Sequence, residues 1–161
     1  MLLAQNPALW FAPIVLVLLA GGWIGVLSLV SAISGWRKLA RSYPAVDTSA
    51  PTQDAAAVLR FHFCSASFSG LNYSACLTFA VDRDYLHLAT QLPFRPGHPP
   101  ISIPWSEISA TEKKAFLNSG TVLSFVKEPR IQLMISNGLA LKLIRAARSC
   151  DAVTAFSAEP Q

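Results

Sequence analysis

Charge is the scarcest thing in this sequence. Only 14% of its 161 residues are charged, against about 25% in an ordinary soluble domain. From Leu2 to Trp36 there is no charged side chain at all, which excludes a chain wholly exposed to water. Cysteine is nearly as sparse. Cys64, Cys76 and Cys150 make an odd number, which suits a reducing compartment better than a disulfide framework, although Cys64 and Cys76 could pair in an oxidising one. There is no Cys-x-x-Cys pair, no Gly-x-Ser-x-Gly elbow and no Walker-type glycine loop, so the usual signatures of zinc, acyl-transfer and nucleotide sites are missing. Internal repeats and low-complexity tracts are missing too.

What is present begins with the apolar run from Ala8 to Trp36. A helix needs about 20 apolar residues to cross a bilayer core, and this run is longer, leaving room for tilt. A cleaved secretory signal would want a basic n-region and an apolar core of about 7–15 residues, and neither fits. The expectation is therefore an uncleaved transmembrane anchor over residues 1–36. Trp10 and Trp36 near its ends suit the headgroup level, and Pro13 is expected in the first helical turn, where its missing N–H costs little. Arg37, Lys38 and Arg41 follow at once and favour the cytoplasmic side, so the N-terminus is expected to face out. Such an arrangement fits a single-pass protein of a bacterial inner membrane. Gly21 with Gly25, and Ser28 with Ala32, are small pairs at the spacing that lets helices approach in lipid, a possible homodimer face.

The sequence pI of about 9.2 invites a nucleic-acid reading, which the distribution of charge removes. Leaving out the three juxtamembrane cations, residues 42–161 hold ten basic and nine acidic residues, scattered rather than clustered on one face. The basic excess sits at the membrane edge, where each cation near an anionic leaflet contributes about 1 kcal/mol.

Residues 37–58 read as a basic juxtamembrane segment and linker rich in Pro, Ser, Thr, Asp and Ala, with a helical turn after Pro51 near Asp54. From Leu59 the hydrophobic period changes to two. "LRFHFCSASF" sets Leu59, Phe61 and Phe63 against Arg60, His62 and Cys64, and "YSACLTFAV" and "DYLHLAT" flank the turn "DRD". "ISIPWSEI" alternates Ile101, Ile103 and Trp105 against Ser102, Pro104 and Ser106, and "TVLSFV" follows a turn at Ser119-Gly120. In "RIQLMISNGLALKLI", Asn137-Gly138 between alternating apolar runs predicts a type I′ hairpin, with a helical tail after Arg145. The competing possibility is that Asn137 caps a helix from Leu139 to Arg148. About six or seven short antiparallel strands in residues 59–148 predict a mainly β fold, a small roll or half-barrel with a short C-terminal helix, and residues 149–161 as a tail. The order of hairpins, "ISIPWSEI" in the middle and "IQLMISNGLALKLI" at the end, resembles bacterial membrane-tethered PH-like or GRAM-like domains from Leu59 to Arg148. That resemblance implies a module binding lipid or protein rather than an enzyme. No dense Lys/Arg cluster marks a first hairpin loop, which departs from phosphoinositide-binding versions.

Candidate chemistry is thin. His62, Cys64, Cys76 and His87 are soft metal ligands on nearby predicted strands, but buried Cys is commonly a small hydrophobe. Asp82 and Asp84 in "VDRDYL" are explained by the turn, since Asp bonds the backbone two residues on. Glu107 and Glu112 carry no pairing signal. The sequence calls for no cofactor. In "FRPGHPPISIPWSEI" the prolines at 96, 99 and 100, with Pro93 just before, remove backbone donors and stiffen the entry to a strand. Arg95 and an exposed His98 form a possible binding loop there. The functional expectation is a membrane-anchored, non-enzymatic module that docks an unknown protein partner. The alternative is a headgroup-binding module on anionic lipid, with a metal protein or enzyme behind both.

Overall fold

A computed structural model describes residues 7–46, 59–113 and 120–150. The expected linker beyond residue 46, including Pro51 and Asp54, and the turn at Ser119 lie outside the described residues, as does the tail beyond Cys150.

The uncharged run forms one helix, α1 (Pro7–Ile33), with Pro13 inside it rather than in its first turn. Phe11–Ile33 is long and apolar enough to cross a membrane. Its side chains are exposed from Phe11 to Val26, and from Leu27 onward one side of the helix is buried against the rest of the chain. Gly35 ends this course. It sits in the left-handed region at φ 82, and a Cβ there would meet Ile131 Cδ1 at 3.1 Å. Only glycine takes both the backbone angle and the close approach without strain.

The chain turns at Gly35 into α2 (Trp36–Ser42). Residues 37–46, expected as the start of a linker, are instead docked on the domain. Trp36 and Leu39 are wholly buried and Tyr43 nearly so, because these aromatic and aliphatic groups lie at helical spacing on one face. Beyond α2, Pro44 bridges Ile101, and Ser102 N–H donates to the Tyr43 carbonyl at 3.4 Å.

Seven strands follow: β1 (Leu59–Phe68), β2 (Leu71–Val81), β3 (Tyr85–Thr90), β4 (Ile101–Pro104), β5 (Ile108–Lys113), β6 (Gly120–Phe125) and β7 (Gln132–Ile135). They make one antiparallel sheet in the order β4-β3-β2-β1-β7-β6-β5. The two outermost strands, β4 and β5, are neighbours in sequence, joined only by a helical turn over Trp105–Glu107. So short a connection brings the two edges together and curls the sheet into a half-barrel. Trp105 fastens that corner, its N–H donating to Asp84 O and its Nε1–H to Asp82 O, both at 3.1 Å. "ISIPWSEI", read as one strand, is therefore the corner between two.

Two expectations on the backbone, one on a turn and one on strand alternation, are corrected. Asn137-Gly138 is not a hairpin turn. Residues Asn137–Ser149 form helix α3, and Ser136 caps it by accepting from Leu139 N–H at 3.3 Å. Leu139, Ala140, Leu143, Ala146 and Ala147 face the core, and this is the 3.6-residue spacing of a helix. Consecutive residues with positive φ occur instead at Ser69 (φ 46) and Gly70 (φ 91), the pattern of a type I′ turn, which joins β1 to β2. The alternation in β1 also breaks. Register shifts between Phe61 and Cys64 and between Cys64 and Ala66 put Phe63 at φ 56 with its ring 70% exposed, not on the core side with Phe61.

α3 closes the open end of the roll. The cavity left between it and Leu86, Trp105, Ile108 and Leu123 is only ≈ 10 Å³ and apolar, and therefore dry. Helix and hairpin differ in a measurable way, because a strand would put Leu139, Leu141 and Leu143 on one face. Leu143→Ala should destabilise by about 2–5 kcal/mol. Leu141→Ala, at an exposed position, should stay within about 0.5 kcal/mol. Urea unfolding of the full chain in detergent reads both, and equal losses would restore the hairpin.

Candidate functional site

The segment from Gln91 to Pro100 is the densest polar meeting point of the fold. Its backbone runs along α1, and its carbonyls are taken up one after another by side chains of that helix and the next. Trp23 Nε1–H donates to Pro93 O at 2.8 Å, Ser31 Oγ–H donates to Gly97 O, and Trp36 Nε1–H donates to Pro99 O at 2.8 Å. Local bonds satisfy more of the loop, with Phe94 N–H to Gln91 O, Arg95 N–H to Leu92 O and His98 N–H to Arg95 O. Gly97, at φ 78, lies so close that a Cβ would meet Ser28 Cα at 3.0 Å. The Trp23 and Phe94 rings pack at 5.9 Å.

His98 is not an exposed tip. It is 1% exposed, held edge-on to Trp36 and Tyr73. Its Nδ1 faces Pro96 O at 3.3 Å, and its Nε2 lies 3.0 Å from Tyr73 Oη, which is 2.8 Å from Ser34 Oγ. The phenol has one proton to give to those two neighbours. A neutral His98 that donates from Nδ1 leaves Nε2 as an acceptor for it. Burial holds His98 below the ordinary value of 6.5 and pushes the Tyr73 phenol up, so both groups are neutral near pH 7. Ser31, Ser34, Tyr73 and His98 are all buried, an internal polar network that fastens helix to roll.

A second chain of contacts lies on β3 and β4, where His87 is paired in register with Ser102. His87 Nε2 lies 2.6 Å from Asp82 Oδ2 and its Nδ1 2.8 Å from Ser102 Oγ. Serine, histidine and aspartate in line suggest a nucleophile and base. Ser102, however, is 4% exposed, and its Oγ already accepts from Val46 N–H at 3.0 Å. The hydroxyl is committed to pinning the segment after α2 onto the edge strand, and a substrate carbonyl has no approach to it. Asp82 makes the expected turn, with Oδ1 accepting from Asp84 N–H and Tyr85 N–H at 2.9 and 2.6 Å.

The other expected residues are placed as follows. Trp36 is enclosed in protein, so it cannot anchor at a headgroup layer, and the Trp10 side chain lies outside the described residues. Arg37, Lys38 and Arg41 are exposed on α2. Lys38 pairs with Glu128 at 2.8 Å and holds that carboxyl below its usual range. Gly21 and Gly25 have open space beside them and Ala32 is exposed, while Ser28 is half-covered by the loop. Arg95 is exposed. His62 contacts Thr78, none of the three cysteines is in a disulfide, and burial pushes Cys64 and Cys76 up. Among the described residues no three His, Cys, Asp or Glu side chains converge as metal ligands. Glu107 pairs with Lys127 at 3.4 Å, while Glu112 is exposed on β5. The sequence reading missed Ser31, Ser34, Tyr73 and Ser102. The legible signal was Ser28, Ser31 and Ser34, three hydroxyls at three-residue spacing on one side of an otherwise apolar helix.

Comparison with protein-family models, with curated proteins and with solved structures returns no match.

The buried imidazole gives the fold an acid-sensitive term. Above pH 6.5 neither the folded nor the unfolded chain protonates this histidine. Below it, the unfolded chain takes a proton that the folded one refuses. Stability should therefore fall with pH from 6.5 down to the folded value, by up to about 1.4 kcal/mol per unit. Unfolding of the wild type and of His98→Gln across that range checks this, and equal slopes would remove His98 from the acid response.

Proposed function

We propose that this protein crosses a membrane once through α1 and holds a PH-like β roll against the cytoplasmic face, in a bacterium the inner membrane, as a non-enzymatic docking module for a protein partner. The anchor reading is supported by the apolar surface that α1 exposes from Phe11 to Val26. The three cations exposed on α2 support the orientation. The order of strands closed by a C-terminal helix supports the PH-like reading. Against catalysis stands the commitment of Ser102, His87 and His98 to bonds that hold the fold together.

The observation that carries the docking reading is Phe63. A bulky residue at positive φ is strained, and such strain persists only where the surrounding structure enforces it. Two adjoining register shifts enforce it here, and bulges of this kind re-aim side chains. The side chain so aimed is an aromatic ring, 70% exposed, of the type that anchors protein interfaces. Among the described residues the neighbouring stretch of β1 bonds only β2, since β7 pairs β1 at Ala66–Phe68 alone. A partner strand could add to that open edge.

Two measurements test this. The full chain should stay in the membrane pellet at alkaline pH, and its release to the supernatant would end the anchor reading. A photo-reactive benzophenone at position 63 should give a discrete protein adduct in cells. Adducts to lipid alone would favour the headgroup alternative, for which Arg37 and Arg41 are the exposed cations. Phe63→Gly should remove recruitment of the adduct's protein while stability holds or rises by about 1 kcal/mol, because glycine takes positive φ freely.

A further inference from the structure

We infer that the Leu92–Phe94 tip is a second membrane contact, inserted into the lipid beside α1. This rests on the reading of α1 as a span. The argument is one of length. A bilayer core takes about 20 helical residues. Counted from Ala8, the first residue after the polar Gln5-Asn6-Pro7, such a stretch ends at Leu27. The tip bonds and packs on Trp23, about 6 Å inside that limit at 1.5 Å per residue. Tilt only deepens it. Keeping the tip in water would require the core to start near Leu3 and to bury Gln5 and Asn6.

The tip has the composition this position demands. Leu92 is 79% exposed, next to Pro93 and Phe94, which contact Trp23 of α1. Non-helical backbone is tolerated at membrane depth only where its polar groups are satisfied by protein. Here Pro93, Pro96, Pro99 and Pro100 have no N–H to satisfy. The carbonyls of Pro93, Gly97 and Pro99 are capped by Trp23, Ser31 and Trp36. Exposed Arg95 can bury its methylene stem and return its guanidinium to the phosphates. The other end of β3 carries Asp82, Arg83 and Asp84, so the strand has an apolar end at the helix and a charged end away from it. The occupant of the apolar end is the acyl-chain region of the bilayer.

The test places a nitroxide label at Leu92→Cys in the full chain, with the three native cysteines changed to Ala. The protein is reconstituted in vesicles of phosphatidylethanolamine and phosphatidylglycerol. Labels at Leu18→Cys, in the exposed middle of α1, and Arg83→Cys mark lipid and water. The expected result is a ratio of oxygen to nickel-chelate collisions at position 92 close to that at 18 and several-fold above that at 83. A water-like ratio at 92 with a lipid-like ratio at 18 overturns the inference and leaves the span intact. Water-like ratios at both overturn the span and the inference together. Should the cysteine-free chain misfold, a benzophenone at position 92 in the native-cysteine chain reads the same question, with acyl-chain adducts expected and their absence overturning the inference.

Discussion

The fold depends on three carbonyls of a proline-rich loop finding donors on an apolar helix and on the first residue of the helix after it. Trp23, Ser31 and Trp36 reach Pro93, Gly97 and Pro99, and each bond crosses more than sixty positions of sequence. The bonds to Gly97 and Pro99 are partly buried and the one to Pro93 is exposed. A fully buried carbonyl without a donor forfeits about 1–3 kcal/mol and these forfeit less, but their directionality favours one placement of the helix on the roll. Hydrophobic burial is non-directional and does not by itself fix the position of α1 along the roll. Hydrogen bonds to particular carbonyls remove that freedom. Gly97 then permits the contact by bringing its backbone against Ser28, and Gly35 lets the chain turn from this contact into the core.

The same joint governs the roll. Trp36, Leu39 and Tyr43 enter the core from outside the sheet, so the segment after α1 is a structural part of the β domain rather than a tether. Tyr43 shows how tightly it is fitted. Burial pushes its phenol up to about 12, its oxygen accepts Lys127 N–H at 3.0 Å, and Lys127 Nζ lies 4.7 Å from the ring centre. On the far side, the short corner at Trp105 brings the two sheet edges together, and α3 fills the remaining opening. Edge strands invite unwanted pairing. β4 is guarded by the Pro44 bridge, whereas the half of β1 around Phe63 pairs on one side with β2 and is left unguarded on the other among the described residues.

Much of the fold was legible because strands announce themselves by local alternation. The hairpin β2–β3, with Asp82 in its turn, follows from period and turn residues alone, and β4 and β6 fall within stretches read as strands, although β4 ends at Pro104 rather than running on through Trp105. What failed did so for physical reasons. Asn137-Gly138 carries a hairpin signature, but Ser136 one residue earlier is an equally good helix cap, and the long-range cavity under α3 decides between them. The bulge at Phe63 leaves no mark in a run of alternating apolar residues. His98 looked exposed because proline and glycine flank it, whereas its burial comes from a helix more than sixty positions away. The joint was half visible in Ser28, Ser31 and Ser34, of which only Ser28 was read, with Gly21, Gly25 and Ala32, as a surface for a second helix.

That reading of the small residues can be refined by geometry. Successive residues on a helix turn by about 100°, which puts Gly21, Gly25, Ser28 and Ala32 within one narrow sector. Leu27, Ser31 and Ser34 occupy the adjoining sector and are buried against the roll. A second α1 approaching along the glycines would therefore have open access at Gly21 and Gly25 and would collide with the loop at Ser28, where Gly97 already sits at contact distance. Two copies could cross only by splaying apart toward their C-terminal ends. Small-residue packing favours right-handed crossings of about −40°, and a crossing at Gly21–Gly25 separates the helices beyond it. The roll and a helix dimer are thus compatible only with a crossing in the N-terminal two-thirds of α1, with the two β domains carried outward rather than into each other.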